Sequence, residues 1–333
     1  MRYLVGDLES LVTDLQIRQG RKFSLEDEAR LLHGLSIDRV SEDELRRLRA
    51  ALDAALPGEG PLAERYRDYD ERVRAPAERV EGAIRASVAA CERQTRLRLN
   101  VPEDRGATIV FDPDTYLQGQ MNYRGGFSGD LVFWTHPMSA MRILSLSCHE
   151  GYPGHYLHFL LRERSAVERG FVEAFTQPFR AGVVLEGVAE FAYQAVFTPE
   201  EQARVLAEEV LPAAGLDPSL AEMHVRVWHA DEALKQAAAT EAGRRLLSGE
   251  MSRAEAEAWF AEAGVVTPSS VKGWLDFVEA DGAYALLYGP GEARVRRRIE
   301  AAGGTVDNPT RRWEAYLQLL MDPWPQPEDI TSP

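Results

Sequence analysis

The chain has 333 residues, and its content of 45% apolar and 27% charged residues is typical of a globular protein rather than a disordered one. Its formal net charge of −15 argues against nucleic acid or an anionic membrane surface as a partner, because both attract an excess of Lys and Arg. No stretch approaches the roughly 18 consecutive apolar residues of a membrane span, and the first residues lack the pattern of a secretory signal. We therefore expect a cytoplasmic protein with no membrane partner.

The two cysteines, Cys91 and Cys148, are far apart in the sequence. They form neither a disulfide framework nor the closely spaced pairs of a cysteine-type metal site. We therefore expect no disulfide framework, and a reducing compartment fits this expectation.

Helices dominate the predicted elements. Ser24, Ser41 and Ser252 each stand three residues before an acidic residue, which is the spacing of a capping box, and Thr198 precedes a proline suited to a first helical turn. Apolar residues recur every three or four positions between 41 and 56 and between 80 and 91, which predicts two amphipathic helices.

Strand signals are few and lie in the middle of the chain. Residues 108–111 and 131–135 are rich in β-branched and aromatic side chains, and the second run follows a glycine-rich turn at 125–129. We predict a small sheet of two or three strands. The segment 126–135 is either an edge strand along which an extended peptide binds or a plain structural hairpin, and the sequence does not separate the two.

From about residue 138 onward the pattern is helical again, up to a proline-rich end at 322–327. We interpret that end as a tail that is held to the surface by Trp324 or left loose. The chain is thus predicted to contain an N-terminal helical region, 1–105, and a second region, 106–333, that pack together as one globular unit.

Metal-ligand residue types crowd one predicted helix, in the segment from Ser147 to His155. In the usual zinc-protease motif two histidines four residues apart face the same way, and the Glu beside the first acts as general base. Here His149 and His155 are six apart, which on an ideal helix places them about 120° from each other. A regular helix would therefore not bring the two imidazoles together.

The dipeptide Pro153-Gly154 resolves this difficulty. A proline in a helix interior lacks the N–H group that the helix needs and costs about 3 kcal/mol, so it breaks or kinks the helix. A break at this point can turn His155 towards His149, and packing alone does not explain so unfavourable a residue between two potential ligands.

A further ligand is predicted on a second helix. Glu186, Glu190 and Gln194 follow one another at four-residue steps in a segment that is otherwise almost wholly apolar, so they share one face of a helix suited to burial. Buried carboxylates need a partner, and a divalent cation supplies one. Two imidazoles and the carboxylate of Glu186 would leave one position of tetrahedral Zn²⁺ open for water, with Glu150 as general base. Glu190 is either an acceptor for a ligand imidazole or a satisfied core carboxylate.

At these residues the sequence resembles the bacterial family catalogued as domain of unknown function 885 (DUF885). That family has the pattern His-Glu-Ala-x-Pro-Gly-His-His-x-Gln followed by Glu-Gly-x-Ala-x-Tyr-x-Glu, and here the two motifs occur in the same order at 149–158 and 186–193. Weaker matches lie at 246–260 and 288–293, so the resemblance covers roughly 119–304. It implies a mainly α, metallopeptidase-like fold, to which the strand signals add a small antiparallel sheet or hairpin beside the metal-binding helix. It also implies His149, His155 and Glu186 as metal ligands and Glu150 as catalytic base.

The sequence also departs from the family pattern. Tyr156 replaces the third histidine, His158 the final glutamine and Phe191 a tyrosine, and an Asp-Thr-Gly-x-His segment of the family has no clear counterpart. Substrate specificity therefore cannot be carried over from the family.

The remaining polar candidates have two interpretations each. His158 lies on the helix surface or supports a ligand without touching the metal, or it replaces His155 as ligand. His224 and His229, which flank Trp228, are core or surface histidines, and Tyr193 is a packing residue. Tyr288 is the preferred oxyanion donor, because Gly289-Pro290-Gly291 would bring a rigid turn close to the substrate. The arginines at 294, 296, 297 and 298 form a solvated helix face, or one of them binds a peptide carboxylate.

These features predict a zinc peptidase that hydrolyses short peptides, in which the metal polarises the scissile carbonyl, Glu150 deprotonates the water and Tyr288 stabilises the oxyanion. Two alternatives stay open. One is a metal-dependent hydrolase of a non-peptide amide or ester. The other is a non-catalytic protein that retains the metal site, for which a fourth protein ligand such as His158 would be the sign, because structural zinc sites are closed. The sequence does not predict the oligomeric state.

Overall fold

The structure, a computed structural model, describes residues 2–101, 104–115, 117–168, 179–322, 327 and 330. The first hundred residues form helices, and the two predicted helix starts are confirmed: the hydroxyls of Ser24 and Ser41 accept the N–H groups of Asp27 and Glu44. The helices are α1 (Arg2–Arg18), α2 (Leu25–His33), α3 (Glu42–Ala55), α4 (Leu62–Val73) and α5 (Ala77–Arg98). The predicted helices at 41–56 and 80–91 correspond to α3 and to the middle of α5.

The predicted small sheet is confirmed, and it contains one strand that the sequence did not indicate. The strands are β1 (Arg74–Ala75), β2 (Ala107–Phe111), β3 (Gly119–Gly125), β4 (Ser128–Phe133) and β5 (Met138–Ser139). Strands β3 and β4 form an antiparallel hairpin, β2 pairs with β4 in parallel, and β1 pairs with β5 in a separate two-stranded ladder.

Of the two interpretations of the segment 126–135, the structural hairpin is confirmed and the edge strand is wrong. The order of the sheet is β2-β4-β3, so β4 is the central strand and the outer partner in the hairpin is β3. β3 has the sequence Gly-Gln-Met-Asn-Tyr-Arg-Gly, which has two glycines and no β-branched residue, and such a segment carries a weak strand signal.

The second half returns to helices, as predicted. Thr198 and Ser252 both form capping boxes. The helices are α6 (Ala140–Glu150), α7 (His155–Glu168), α8 (Gly182–Val196), α9 (Pro199–Val205), α10 (Leu211–Ala214), α11 (Ala221–Leu247), α12 (Arg253–Ala263), α13 (Pro268–Asp281), α14 (Tyr288–Ala301) and α15 (Pro309–Leu320). Most of the proline-rich end, including Trp324, lies outside the described residues.

Helices α6 and α8 lie at the centre of the largest core. Every residue of α6 except Arg142 is buried, and α6 packs between α5 and α8. Helix α8 crosses α14 so closely that a Cβ on Gly187 would lie 2.6 Å from the backbone of Gly291. The core contains Leu35 and Ile84 as well as side chains from α6 and α8, so the helices before and after residue 105 share it.

The expectation from the two cysteines is wrong, because Cys91 and Cys148 form a disulfide. Helix α5 packs along α6 and brings their Cα atoms to 5.5 Å, although 57 residues separate them in the sequence. Disulfides persist mainly in oxidising compartments, so the cysteines no longer support a reducing one. Among the described residues, the structure has no helix with the length and apolar character of a membrane span.

Candidate metal centre

The predicted break in the helix between His149 and His155 is present. Helix α6 ends at Glu150, and α7 begins at His155. Between them the N–H of Gly151 donates to Ser147 and the N–H of Gly154 donates to the carbonyl of Cys148. A Cβ on Gly154 would lie 1.9 Å from the carbonyl oxygen of His149, which no side chain could accept. The sharp turn that redirects His155 therefore requires glycine at 154.

The turn brings the predicted ligands together. The rings of His149 and His155 are 4.6 Å apart and nearly perpendicular, at 89°. Helix α8 supplies Glu186, whose Oε2 atom lies 3.6 Å from Nε2 of His149 and 3.4 Å from Nε2 of His155. The three side chains that the sequence predicts as ligands therefore point at one space.

The donor set of this space fits a zinc ion. Zinc binds imidazole nitrogen and carboxylate oxygen at about 2.0–2.2 Å, which places the ligand atoms of a tetrahedral site about 3.3–3.5 Å apart. The two distances to Oε2 of Glu186 are close to that value. Oε2 is also buried and has no hydrogen-bond partner among the described residues, an unfavourable state for a carboxylate oxygen that a cation would relieve.

Glu150 lies beside this set. Its Oε1 is 3.8 Å from Nε2 of His149, and one ligand atom each from His149, Glu150 and His155 lie within 4.8 Å of one another. On its other side Glu150 faces the first residue of β3, because a Cβ on Gly119 would lie 2.8 Å from Oε1. The carboxylate thus stands between the imidazoles and the start of β3.

The charges in the cluster are strongly coupled. Burial acts to lower the pKa of His149, but the carboxylates of Glu150, Glu190 and Glu186 outweigh it and raise that pKa to about 9. Burial acts to raise the pKa of Glu186, but the two facing imidazoles outweigh it and hold that pKa well below its usual range. For Glu150 the burial effect wins, and its pKa is raised. The cluster therefore places imidazoles and carboxylates close together in a buried site, where their charges strongly affect one another.

Tyr284 is a residue of the centre that sequence reasoning missed. Its hydroxyl donates a hydrogen bond of 2.6 Å to Oε1 of Glu186, the oxygen that does not face the imidazoles. It lies in the 3₁₀ turn Gly282–Leu287, 98 residues after its partner. The one signal available was its position four residues before Tyr288, which places the two hydroxyls on one side of a helical segment.

Tyr288, the predicted oxyanion donor, lies next to Tyr284, with ring centres 6.0 Å apart. Burial, followed by the charge of Glu186, raises the pKa of Tyr288 well above 10, so its hydroxyl keeps its proton. Glu190 also reaches the centre, because its Oε1 lies 3.4 Å from Nδ1 of His149, on the side of the ring away from Glu186. This is the position of an acceptor that orients a ligand imidazole.

His158 is buried, but it is not part of the cluster. It is 3% exposed, and neither ring nitrogen has a hydrogen-bond partner in the described part of the chain. Burial, together with Arg162 and His155, lowers the pKa of His158 well below its usual value. The structure therefore places a neutral imidazole beside the centre.

The two histidines that flank Trp228 make contacts within the fold. Nε2 of His224 accepts the N–H of Met141 at 3.0 Å, and Nδ1 lies 2.6 Å from the hydroxyl of Tyr69. His229 lies 3.1 Å from Gln202 and stacks on Tyr193. Burial lowers the pKa of His224 to about 3 and that of His229 to about 4.

The prediction of a solvated arginine face on α14 is wrong for Arg294. Arg294 is buried and donates to the carbonyl groups of Pro290 and Ser36. Arg296 donates to Gln194 and pairs with Glu292. Arg296 keeps 40% of its side chain exposed, whereas Arg294 lies on the buried side of α14.

A cavity of about 510 Å³ lies beside the centre, between α11, α14 and α8. Glu190 lines it, as do Tyr193, Glu232 and Arg296. Burial, partly offset by the charge of Arg142, raises the pKa of Glu232 to about 7. The cavity therefore adjoins the far side of the His149 ring and contains a carboxyl group that titrates near neutrality.

No protein-family model matches the chain, and no curated protein matches it either. Among solved structures it is similar to the one described as a putative lipoprotein from Colwellia psychrerythraea, with 16% sequence identity and a TM-score of 0.49. The match covers 84% of this chain and 51% of that chain, so this chain spans about half the length of that protein. A structural similarity this weak supports no conclusion about the fold or the activity of this chain. The DUF885 resemblance stays a prediction.

Proposed function

We propose that the protein is a zinc-dependent metallopeptidase that hydrolyses short peptides, with His149, His155 and Glu186 as metal ligands and Glu150 as general base. One observation carries the proposal: Oε2 of Glu186 lies 3.4 and 3.6 Å from the facing imidazole nitrogens, a buried arrangement with the spacing of zinc ligands. A bound zinc ion supplies a water nucleophile at neutral pH and polarises the substrate carbonyl.

The side chains around the ligands have matching roles. Glu150 takes the proton of the attacking water and passes it to the leaving amine. Burial raises its pKa, which makes the carboxylate a stronger base than an exposed Glu. Tyr284 holds Glu186 in place through the 2.6 Å hydrogen bond, and Glu190 orients His149. Tyr288 keeps its proton and serves as a hydrogen-bond donor to the developing oxyanion.

The sheet supports a peptide as substrate. In the three-stranded sheet β3 has one strand partner, β4, and its first residue lies against Glu150. The free backbone groups of an outer strand can pair with an extended peptide. A non-peptide amide or ester would use the same ligands and base, and hydrolysis of small amides and esters without peptide cleavage would favour that alternative.

The test compares wild type with Glu150→Gln after both are loaded with zinc. Turnover of a short-peptide library by wild type, measured by mass spectrometry, should fall by about 10²–10⁴ in the variant, because the base is removed. Zinc content, measured by elemental analysis, should stay at the wild-type level. The absence of any cleavage by zinc-loaded wild type would contradict the peptidase proposal.

One observation favours a second candidate, a closed metal centre without catalysis. Glu150 falls in the same 4.8 Å group as the two imidazoles, so it can act as a fourth ligand instead of a base. Structural zinc sites are closed by four protein ligands, whereas catalytic sites keep a position open. In that case Glu150→Gln would weaken zinc binding more than about 100-fold, above the effect typical of residues outside the ligand set.

A further inference from the structure

Arg142 is the residue of the metal-binding helix whose role the fold does not explain. It stands seven residues before His149 on α6, which is two helical turns, so the two side chains share one face of the helix. It is also the residue of α6 that is not buried.

The guanidinium group of Arg142 has unused hydrogen-bonding capacity. Its Nε donates to Oε1 of Gln118 at 2.8 Å, which fixes the plane of the group. The two Nη groups make no hydrogen bond and no ion pair within the described ranges of the chain. An arginine fork held at one edge and open at the other is suited to bind a carboxylate through two parallel hydrogen bonds.

The position of the fork relative to the base follows from β3. Arg142 contacts Gln118, and Glu150 faces Gly119, the next residue in the chain. Arg142 and Glu150 are also eight residues apart on α6, a rise of about 12 Å along the helix, so a carboxylate bound at Arg142 would lie roughly three or four extended residues from the base. The charge of Arg142 is also felt at both Glu150 and Glu232, which places it at the edge of the acidic cluster.

We propose that Arg142 binds the free C-terminal carboxylate of the substrate, so that the protein cleaves peptides close to their C-terminus. This inference rests on the proposed peptidase function. Of the arginines on α14 predicted as carboxylate-binding candidates, Arg294 and Arg296 have partners within the fold, whereas the Nη groups of Arg142, on the helix that carries the base, are open among the described residues.

The test uses matched peptides that differ in one group, a free C-terminal carboxylate or a C-terminal amide. Zinc-loaded wild type should cleave the amide with a kcat/KM at least 10-fold lower, mainly through a higher KM, because the amide cannot accept the paired hydrogen bonds. Arg142→Met should lose this preference, and Arg142→Lys should keep part of it. Arg164→Met, which removes an exposed arginine from α7, should behave like wild type.

A binding measurement separates this inference from the peptidase proposal. In zinc-loaded Glu150→Gln, calorimetry should show at least 10-fold tighter binding of the carboxylate peptide than of the amide, and the added Arg142→Met change should remove the difference. Selective binding without turnover by wild type would overturn the peptidase function and leave the carboxylate site standing. Equal kcat/KM values and equal affinities of wild type for the two peptides would overturn the role of Arg142. An unchanged preference for the carboxylate peptide in Arg142→Met would also overturn it. Efficient cleavage of an amidated peptide with an internal Glu would assign the fork to a side-chain carboxylate and overturn the C-terminal assignment.

Discussion

Two buried histidines lie at opposite ends of helix α6, and the groups around their ring nitrogens differ. His224 lies against its first turn, where Nε2 accepts the N–H of Met141 and Nδ1 reaches the hydroxyl of Tyr69, so both ring nitrogens are satisfied. His149 lies in its last turn, where the ring faces carboxylates at 3.4 to 3.8 Å, and its Nδ1 has no hydrogen bond among the described residues. Both are buried, yet the pKa of His224 is lowered to about 3 and that of His149 is raised to about 9.

The difference is the reason why we propose His149, and not His224, as a metal ligand. Burial on its own favours a neutral imidazole with ordinary partners, as at His224. Around His149 the carboxylate oxygens that could accept a hydrogen bond outnumber the ring N–H groups that could donate one. The distances from Nε2 to Glu150 and Glu186 also exceed those of good hydrogen bonds. An excess of acceptors around an empty space is a site for a cation, whereas a matched donor and acceptor set is a structural contact.

Among the substitutions that test this difference, Gly154→Ala should have the largest effect. The added Cβ would overlap the carbonyl oxygen of His149, so the backbone of the break must move and His155 turns away from the other ligands. We expect zinc affinity to fall more than 100-fold and the free energy of unfolding to fall by about 3 kcal/mol, by analogy with other overpacked sites. Zinc titration and chemical denaturation measure the two effects.

Gly273→Ala is the matched control, because a Cβ at this position on α13 meets nothing within 4 Å. It should raise stability slightly, by about 0.5–1 kcal/mol, and leave zinc affinity unchanged. Wild-type zinc affinity in Gly154→Ala would mean that the break does not position His155.

A second change removes the structural histidine. His224→Ala leaves the N–H of Met141 and the hydroxyl of Tyr69 buried without their partner, so we expect a loss of about 3 kcal/mol in the free energy of unfolding. Zinc affinity should change by less than about 10-fold, and the exposed His136→Ala should alter stability by no more than about 0.5 kcal/mol. A large loss of zinc binding in folded His224→Ala would erase the distinction between the two histidines.

Much of this contrast could be predicted from the sequence. Helical spacing alone places Glu186 and Glu190 on one face, and the Pro153-Gly154 pair predicts the break that the structure contains. The contact between Tyr284 and Glu186 could not be predicted, because it depends on how two helical segments 98 residues apart approach each other.

The other features that the sequence did not predict also depend on how distant elements pack. The Cys91–Cys148 disulfide depends on the packing of α5 against α6, and the open fork of Arg142 depends on where the loop before β3 places Gln118. Local patterns report the period and the ends of an element, but they carry no information on which distant element covers it.

A smaller effect is expected from Tyr284→Phe. The change removes the hydrogen bond to Oε1 of Glu186 and leaves the ring in place, so the ligand loses an orienting contact. Zinc affinity should fall by about 10-fold, as for other residues that orient metal ligands. Tyr193→Phe removes a buried hydroxyl that accepts from Trp228, away from the centre, and should leave zinc affinity unchanged. Equal affinities in wild type and Tyr284→Phe would show that the tyrosine does not position Glu186.

The smallest effect concerns protons. Since the pKa of His149 is raised to about 9 in the metal-free protein, the ring is protonated at pH 7 and must lose that proton when zinc binds. Zinc binding should therefore release about one proton per chain from His149, and affinity should rise with pH up to about 9. His224, whose pKa is lowered to about 3, releases none. Calorimetry in two buffers of different ionisation enthalpy measures the release, and a zinc affinity that is constant from about pH 6 to 8 would contradict this account.

The most direct test of the metal centre is zinc X-ray absorption spectroscopy on the zinc-loaded protein and on its Glu150→Gln variant. The account predicts one zinc per chain with two imidazole nitrogens and one carboxylate oxygen at about 2.0–2.2 Å, a water ligand, and the same spectrum in the variant. A protein that binds no zinc, or a zinc ion that loses a ligand when Glu150 is replaced, would contradict it.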